Sequence, residues 1–365
     1  MNNILLSVII PAYQSEQSIL SCLEVIDVQN SKQLEIIVVN DGSTDNTENI
    51  LKQCSTRIDN LIVLSESNSG ASSARNKGLE VATGKYIWFV DADDQIAEGA
   101  IEYIFQAVER SPEIDMFKFP YTLVNGSGEN RENQGLSQYY LGKTFQGFHL
   151  IAGFLNQKIA PAPWSNVCKR AVYQSCNLRF EPGVYFQDTV MTTNLLLNVK
   201  HVKCLESDLY QYHVTGGSIT NSCNQNHILS LFKILNLIKT SLESNDLFCR
   251  NITNFFYFYW QQIYHNLSIR KEQLTGALLT NFIAELDRSL LNIEWSKYQF
   301  LANKKTVALV EKNQLLLNEL GLKLSINLIP QRFQQITASG APRIKVKNAV
   351  YVSLRMKNWW TNRGY

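Results

Sequence analysis

The chain has 365 residues, of which 45% are hydrophobic and 18% are charged, and its formal net charge is +2. This length and apolar content are sufficient for one large domain with an annex, or for two domains. A net charge so close to zero argues against bulk binding of nucleic acid, and no nucleic-acid partner is expected.

The first 90 residues alternate short apolar runs with segments of helical character. A strand that is covered on both faces of a sheet is apolar throughout. The apolar runs, each predicted to be such a strand, are 6–10, 34–39, 61–64 and 86–90. The predicted helices between them are 19–26, 45–54 and 71–82. The order βαβαβαβ predicts an α/β fold with a parallel sheet and helices on its faces.

The fourth predicted strand leads directly into three carboxylates, Asp91, Asp93 and Asp94. If the chain stays extended there, Asp91 and Asp93 point to the same side, where their charges repel unless a cation lies close by. A divalent ion held by one or two carboxylates and by substrate phosphates would meet that need. The alternative is an acidic turn in which Asp94 caps the next helix, and a short motif alone leaves both interpretations open.

Polar side chains follow every predicted strand at its carboxyl end. They are Tyr13 and Glu16, then Asp41, then Asn68 and Arg75, and finally Asp91 and Asp93. Because the carboxyl ends of parallel strands share one edge of the sheet, we expect these side chains to line one crevice. Ordinary turn chemistry is the alternative for any one of them.

The chemistry of this predicted crevice fits a nucleotide. Tyr13 offers a ring for base stacking, Asp41 can accept a hydrogen bond from a base or a ribose, and the fork of Arg75 suits a phosphate or an aspartate. The chain has no Gly-x-Gly-x-x-Gly and no Walker-type loop, so the usual dinucleotide and ATP cradles are absent. A phosphate charge must then be met in another way, which favours a metal ion at the aspartates.

Four sequence blocks carry a family resemblance. They are Val8-Ile-Ile-Pro-Ala-Tyr13, Glu35-Ile-Ile-Val-Val-Asn-Asp-Gly-Ser-Thr-Asp45, Asn68-Ser-Gly-Ala-Ser-Ser-Ala-Arg-Asn-Lys-Gly78 and Phe89-Val-Asp-Ala-Asp-Asp94. In this order and spacing the chain resembles the family 2 glycosyltransferases of GT-A fold. The resemblance covers the first 95 residues tightly and extends more loosely to residue 220. The family usually has Tyr-Asn in the first block, where this chain has Tyr13-Gln14.

The resemblance implies a Rossmann-like, mostly parallel sheet and a nucleotide-sugar donor, usually a UDP-sugar. It assigns Asp93 to an Mn²⁺ or Mg²⁺ ion that bridges the diphosphate. The positions that it implies for donor binding are Pro11, Ala12, Tyr13, Glu16, Asp41, Asn68, Arg75, Asp91, Ala92 and Asp93.

The second half of the resemblance implies the base and further donor contacts. Asp188 matches the family's general base, which would deprotonate the acceptor hydroxyl in an inverting transfer. The alternative is an N-cap of a helix over 189–197, and both roles can hold together. His213 stands where the family has Arg, and is a candidate metal ligand or phosphate donor, or a structural residue. Trp164 lines a sugar pocket or belongs to the core. Ser218 is the last residue of the family block that runs from Leu209 and contains His213.

Two further positions depart from the family pattern. Asn166 stands for a Lys and Gln187 for a Glu, while the adjacent Asp188 is retained. The loss of that Glu affects fine tuning of the site and leaves the reaction class unchanged.

Residues beyond 225 have helical spacing and many aromatic side chains, so we predict a helical bundle there. A basic tail follows, with no acidic residue after Glu319 and a Trp359-Trp360 pair. Contact with a membrane or a partner protein, a solvated tail and a homo-oligomer contact are alternative interpretations of that tail. The predicted domains are a catalytic domain over 1–225, with a nucleotide-binding half over 1–95 and an acceptor half over 96–225, a helical domain over 226–330 and the tail over 331–365.

The cysteines and the N-terminus favour a cytoplasmic protein, with the inner membrane face as a further site. The seven cysteines are irregularly spaced, without a Cys-x-x-Cys, which is typical of reduced, mostly buried thiols without zinc. The N-terminus has no signal-peptide layout, and no apolar run has the length needed to cross a bilayer.

From the residues and the family resemblance together we predict a metal-assisted, inverting glycosyltransferase that acts on a glycan or lipid-linked saccharide acceptor. The resemblance alone implies its role, the synthesis of a bacterial surface polymer such as a capsule, an O-antigen or a teichoic acid. A non-catalytic subunit that binds nucleotide-sugars or scaffolds a synthesis complex is the alternative from another class. A nucleotidyltransferase is disfavoured because the segment from Pro11 to Glu16 is not a Gly-rich phosphate loop.

Overall fold

The computed structural model describes residues 4–27, 32–125, 130–214, 224–270 and 272–292, together with 308, 309, 312, 313, 315 and 316. The predicted tail over 331–365, Ser218 and Cys223 lie outside the described residues. The strands are β1 Leu6–Ala12, β2 Leu34–Asp41, β3 Leu61–Glu66, β4 Tyr86–Phe89, β5 Gln95–Ile96, β6 Met116–Lys118, β7 Tyr121–Val124, β8 Asn130–Gln134, β9 Thr144–Phe145, β10 Asn166–Lys169, β11 Val202–Cys204 and β12 Tyr210–His213.

The helices alternate with these strands in the first part of the chain and follow one another in the last part. They are α1 Ile19–Asp27, α2 Thr47–Cys54, α3 Ala71–Val81, α4 Ala100–Arg110, α5 Ile151–Leu155, α6 Arg170–Ser175, α7 Gln187–Asn198, α8 Gln225–Ser244, α9 Phe248–Arg270 and α10 Gly276–Asn292. Within the described ranges, no helix combines the length and apolar character required to cross a membrane.

The main sheet has eight strands in the order β3-β2-β1-β4-β10-β6-β11-β9. The first four strands are parallel, as predicted, with Ile9 opposite Ile37 of β2 on one side and Phe89 of β4 on the other. Strand β10 is antiparallel to β4, a pairing that the apolar runs of the sequence did not indicate. A second sheet has the order β5-β12-β7-β8.

Strand β1 is the point at which the sheet reverses its order, because β2 lies on one side of it and β4 on the other. In open α/β sheets, a crevice forms at the carboxyl ends of the strands at such a switch point. The strand is buried throughout except at Pro11, because both of its faces are covered by helices. The segments that follow β1, β2 and β4 therefore open toward the same edge.

The helical region packs against the α/β fold at α5 and the residue that follows it. The side-chain Nδ2 of Asn156 lies 2.9 Å from Oδ1 of Asn254 on α9, and the rings of Phe154 and Phe258 have centroids 5.8 Å apart. Most aromatic side chains of α9 are buried, in agreement with the core interpretation of that stretch. The predicted segment over 307–320 is described at only a few residues.

Six cysteines are described, and all six are unpaired. Cys22, Cys54, Cys168 and Cys204 are buried, whereas Cys176 and Cys249 are exposed. The expectation of mostly buried thiols is confirmed for these six, since four of them are buried.

Candidate active site

Arg75 lies at the centre of the candidate site. It extends from α3, is only 4% exposed, and places Nη2 2.6 Å from Oδ1 of Asp91 and Nη1 3.7 Å from Oδ1 of Asp188. Its guanidinium also lies 5.3 Å from the centre of the Phe180 ring. Burial acts to lower the pKa of Arg75, but the two aspartates outweigh it and raise that pKa, so the residue is a permanent cation.

The acidic stretch after β4 is a turn and does not continue the strand. The strand ends at Phe89, and the backbone N–H of Asp94 donates to the carbonyl of Asp91 at 3.1 Å. The prediction that Asp91 and Asp93 share a side through extended alternation is therefore wrong. The charge of Asp91 is balanced by Arg75, so this carboxylate does not itself require a metal ion.

Asp94 fastens the acidic turn to β12. Its Oδ2 accepts a hydrogen bond from the Tyr210 hydroxyl at 2.7 Å, and its Oδ1 accepts one from the backbone N–H of His213 at 2.8 Å. The Tyr210 oxygen in turn accepts from the backbone N–H of Asp91 at 3.1 Å. Burial, followed by the charge of Asp91, raises the pKa of Asp94 to about 8. The alternative of a cap is not what forms, because α4 begins only at Ala100, after Gly99.

Asp188 is the second residue of α7, and its carboxylate points toward Arg75. The side chain is 33% exposed, but its Oδ1 is buried without a hydrogen-bond partner. Burial raises the pKa of Asp188 to about 6, with Arg75 opposing the rise and Asp91 adding to it. The N-cap position belongs to Phe186, so the alternative interpretation of Asp188 as a cap is wrong. Asp188 therefore stays a candidate for the base, since a carboxylate with this pKa is more basic than an ordinary aspartate.

Asp93 and His213 form the part of the site that could hold a divalent ion. Reduced solvation in the crevice, followed by the charge of Asp91, raises the pKa of Asp93, whereas His213 and Arg75 act to lower it. Nε2 of His213 is buried and has no hydrogen-bond partner. In the described part of the chain, no three His, Cys, Asp or Glu side chains form a complete protein metal site. One carboxylate and one imidazole nevertheless fit an ion that takes its other ligands from phosphates and water.

The segment from Tyr13 to Glu16 is tied to the loop before α2. Gln14 has φ of 51°, and its Oε1 accepts hydrogen bonds from the backbone N–H groups of Thr44 at 2.7 Å and of Asp45 at 3.3 Å. Glu16 Oε2 accepts from the backbone N–H of Asn46 at 2.9 Å. The Tyr13 ring is 51% exposed and therefore free to stack.

Asp41 is the last residue of β2 and binds the loop before α3. Its two carboxylate oxygens accept backbone N–H groups of Ser69 at 2.7 Å and Gly70 at 2.8 Å. Each oxygen retains a second lone pair, so this structural role is compatible with a further hydrogen bond from a ligand. The neighbouring Asn68 is exposed.

Trp164 belongs to the core of the catalytic fold. It is 8% exposed, and its ring stacks on Tyr210 with centroids 4.4 Å apart and on Tyr212 with centroids 5.5 Å apart. This matches the core alternative, and it places Trp164 directly behind the tyrosine that holds the acidic turn. Of the remaining predicted donor residues, Pro11 and Ala12 end β1 and Ala92 is buried in the acidic turn.

Two residues of functional interest were not predicted. Tyr210, three residues before His213, has no predicted role, although it connects β12 to the acidic turn. Lys118 is fully buried on β6, where its Nζ donates to the Ser165 hydroxyl at 2.6 Å, and burial lowers its pKa to about 7. The only sequence signal for Lys118 is that it interrupts an apolar strand.

Comparison with known proteins places this site in a family. The family model described as glycosyl transferase family 2 matches residues 7–157. The uncharacterized glycosyltransferase YibD of Escherichia coli K12 is 31% identical over 240 residues, which are 63% of this chain and 70% of that protein. The chain belongs to glycosyl transferase family 2.

Two further relatives of this family 2 chain extend the comparison. The minor teichoic acid biosynthesis protein GgaB of Bacillus subtilis is 30% identical over 260 residues, 66% of this chain but only 27% of GgaB. The crystal structure of residues 1–349 of S. aureus TarS in complex with UDP-GlcNAc matches with a TM-score of 0.65 and 19% identity, covering 89% of this chain and 95% of that one. The predicted GT-A fold with a helical C-terminal region is confirmed by this match.

Proposed function

We propose that this chain transfers a sugar from a UDP-sugar to a hydroxyl group of a saccharide or lipid-linked acceptor, with inversion at the anomeric carbon. The observation that carries the proposal is the position of Arg75 between Asp91 and Asp188. In support of the proposal, the half-buried Asp188 carboxylate, whose pKa is raised to about 6, lies beside the crevice expected at the carboxyl ends of the strands. The UDP-GlcNAc complex of TarS, a protein of the same fold, supports the choice of donor.

The proposed reaction uses the two halves of the site in different ways. Tyr13, Asp41 and Asn68 bind the nucleoside on one side of the crevice, by stacking and hydrogen bonding. Asp188 removes the proton from the acceptor hydroxyl while the hydroxyl oxygen attacks the anomeric carbon of the donor sugar. The bond between that carbon and the diphosphate breaks at the same time. An Mn²⁺ or Mg²⁺ ion held by Asp93 and His213 would supply positive charge for the departing diphosphate.

The biological setting that we propose is the synthesis of a bacterial surface polymer. GgaB is named for minor teichoic acid biosynthesis, and the identity between the two chains runs over 260 residues. A soluble enzyme of the cytoplasmic face, with the basic tail as a membrane contact, would suit a lipid-linked acceptor. The match covers only 27% of GgaB.

The test of the reaction is a panel of nucleotide-sugars, each incubated with the protein in the presence of Mn²⁺, Mg²⁺ or chelator. We expect one UDP-sugar to be hydrolysed or transferred in a metal-dependent manner, and Asp93→Ala to abolish the effect of the metal. Binding of a nucleotide-sugar without any turnover would favour the non-catalytic alternative instead.

The test of the base is Asp188→Asn, which keeps the size of the side chain and removes its basicity. We expect turnover to fall by about 10²–10⁴-fold, while UDP binds with an affinity within about threefold of the wild type. Asp59→Asn, at an exposed aspartate outside the site, is the matched control and should leave both values unchanged. Full turnover by Asp188→Asn would remove the base assignment.

A further inference from the structure

The segment that carries the proposed base is held at both of its ends. We call residues 180–186 the lead-in segment, because they run directly into α7 and Asp188. At its start, Asn76 Nδ2 donates to the carbonyl of Phe180 at 2.8 Å and Asn76 Oδ1 accepts the Phe180 backbone N–H at 2.9 Å. Helix α3 thus fixes the lead-in segment through Asn76 and contacts Asp188 through the adjacent Arg75.

The end of the lead-in segment is held by the helical region. The backbone N–H of Tyr185 donates to the hydroxyl of Ser230 at 3.1 Å, and the Tyr185 ring stacks on His227 with centroids 3.6 Å apart and planes inclined by 13°. A third contact from α8 joins Lys233 to Glu181 at 2.7 Å. Since 227, 230 and 233 are three residues apart, they lie on one face of the helix.

Helix α9 adds a cation to the same end of the segment. The guanidinium of Arg270 lies 5.8 Å from the centre of the Phe186 ring, and its Nη1 donates to Oδ1 of Asn266. Both Arg270 and His227 are nearly completely buried, with exposed fractions of 5% and 2%. A buried guanidinium is costly unless its partners compensate for lost water, and an aromatic face is one such partner.

Phe186 is the residue through which these contacts reach the base. Its φ is 61°, a left-handed conformation that is unfavourable for a bulky side chain unless the surrounding structure holds it. Its carbonyl accepts the backbone N–H of Thr189 at 3.1 Å, and the first helical residue, Gln187, follows it directly. The direction of the first turn of α7, and of the Asp188 carboxylate, therefore depends on this conformation.

We propose that His227, Ser230 and Arg270 are positioning residues for Asp188. By holding Tyr185 and Phe186, the helical region fixes the left-handed turn and sets the distance between the Asp188 carboxylate and Arg75. The helical region then contributes to kcat by positioning the Asp188 carboxylate, without touching the substrate. This inference rests on the proposed function of Asp188 as the base.

The decisive variant is Arg270→Met, which keeps the length of the side chain and removes its charge. With the UDP-sugar and metal identified in the panel, we expect kcat for hydrolysis to fall about tenfold, because a small misplacement of a catalytic group is costly. KM should stay within about twofold, since the donor contacts lie on other elements. Arg270→Lys, which restores a cation over the ring, should recover at least about half of the loss on a logarithmic scale.

A second readout does not depend on activity. Amide hydrogen exchange in peptides covering 184–192 should accelerate in Arg270→Met and recover in Arg270→Lys, while peptides of β1 exchange as in the wild type. Ser230→Ala is a milder change that replaces Arg270→Met if the latter folds poorly. It should lower kcat about threefold and accelerate exchange in the same peptides. Lys239→Met, on α8 at an ion pair with Glu243, is the control and should change neither readout.

The outcomes separate this inference from the proposed function. Wild-type kcat and wild-type exchange at 184–192 in both Arg270→Met and Ser230→Ala would overturn it. Faster exchange throughout the protein, with no recovery in Arg270→Lys, would also overturn it, because the residue would then serve only general stability. If the wild-type protein turns over no nucleotide-sugar, or Asp188→Asn is fully active, the proposed function fails and the positioning of a base fails with it.

Discussion

At the scale of single residues, the site depends on how one buried cation is shared between two carboxylates. Arg75 forms a close ion pair with Asp91 and a longer contact with Asp188. Asp188 is therefore the less strongly stabilised of the two anions, and burial raises its pKa to about 6. A carboxylate with such a pKa is largely ionised at neutral pH and yet basic enough to take a proton.

The pH dependence of turnover follows from this arrangement. We expect kcat to fall as the pH drops through about 6, the pKa of Asp188, because only the ionised carboxylate can accept the acceptor's proton. In Arg75→Gln the midpoint should move to higher pH, since loss of the cation removes the influence that lowers this pKa. The measurement is kcat against pH at saturating donor, with the exposed Arg110→Gln as control. A midpoint that does not move in Arg75→Gln would contradict the electrostatic role.

Lys118 is a second buried basic residue, and its Nζ donates a hydrogen bond to the Ser165 hydroxyl. Burial lowers its pKa from 10.5 to about 7, so the unfolded chain binds this proton more tightly than the folded chain. The free energy of unfolding is therefore unaffected by this group above about pH 10.5, where the amine is neutral in the folded and the unfolded chain. It decreases as the pH falls from about 10.5 toward about 7, because only the unfolded chain then binds the proton.

We expect Lys118→Met to reduce this pH dependence and to stabilise the protein at pH 7 by about 1–3 kcal/mol, because it removes a charge from the core. Urea unfolding at pH 7 and pH 9 measures both effects, with the exposed Lys200→Met as control. A variant that is less stable at pH 7 and keeps the wild-type pH slope would argue against this reasoning.

At the scale of elements, helix α3 connects the two halves of the site. It begins at the loop that Asp41 holds, it carries Arg75 and Asn76, and it packs on β1 at Gly78. A Cβ at Gly78 would collide with Cγ2 of Ile9 and would contact Cγ2 of Val39 at 3.5 Å. The close approach of helix and strand therefore requires a residue without a side chain.

We expect Gly78→Ala to destabilise the protein by about 1–3 kcal/mol through overpacking. The usual preference of helices for alanine would change stability in the opposite direction by about 1 kcal/mol. Urea unfolding distinguishes the two effects, and Ser73→Ala on the same helix is the control. A Gly78→Ala protein that is more stable than the wild type would show that α3 can move away from β1 at little cost.

At the scale of the whole molecule, the helical region and the catalytic fold share a packed interface. Phe258 of α9 is 3% exposed and lies against Phe154 of α5, and α8 contacts the lead-in segment. Elements that bury apolar surface against each other unfold together when that surface contributes a large part of their stability.

We therefore expect one cooperative thermal transition for the protein, and a lower midpoint for the whole transition in Phe258→Ala. Truncation of a buried phenylalanine typically costs about 3–5 kcal/mol. Calorimetry measures the transition, and Ile269→Ala, at a residue of α9 that is 46% exposed, is the control. Two separate transitions, of which Phe258→Ala moves only one, would show that the helical region unfolds independently.

Much of the catalytic half was predictable because its signals are local. Apolar runs and helical spacing predicted β1 to β4 and α1 to α3 in the correct order. The shared edge of parallel strands then brought together Arg75, Asp91 and Asp93, and the family blocks added Asp188 and His213. The bounds differ mainly at strand ends, where Asp41 completes β2 instead of opening a turn, because β2 still pairs with β3 at that position.

The sequence by itself determined the class of the fold and the residue types at the crevice, because buried strands and short polar turns depend on residues that are adjacent in the sequence. Only the tertiary structure decided which charges face one another. In the folded protein Asp91 pairs with Arg75, and Asp94 of the acidic turn accepts a hydrogen bond from Tyr210. Side chains from α8 and α9 contact Phe186, the residue before α7. These contacts join positions up to 119 residues apart, and no local pattern encodes such pairing, since it depends on how complete elements pack.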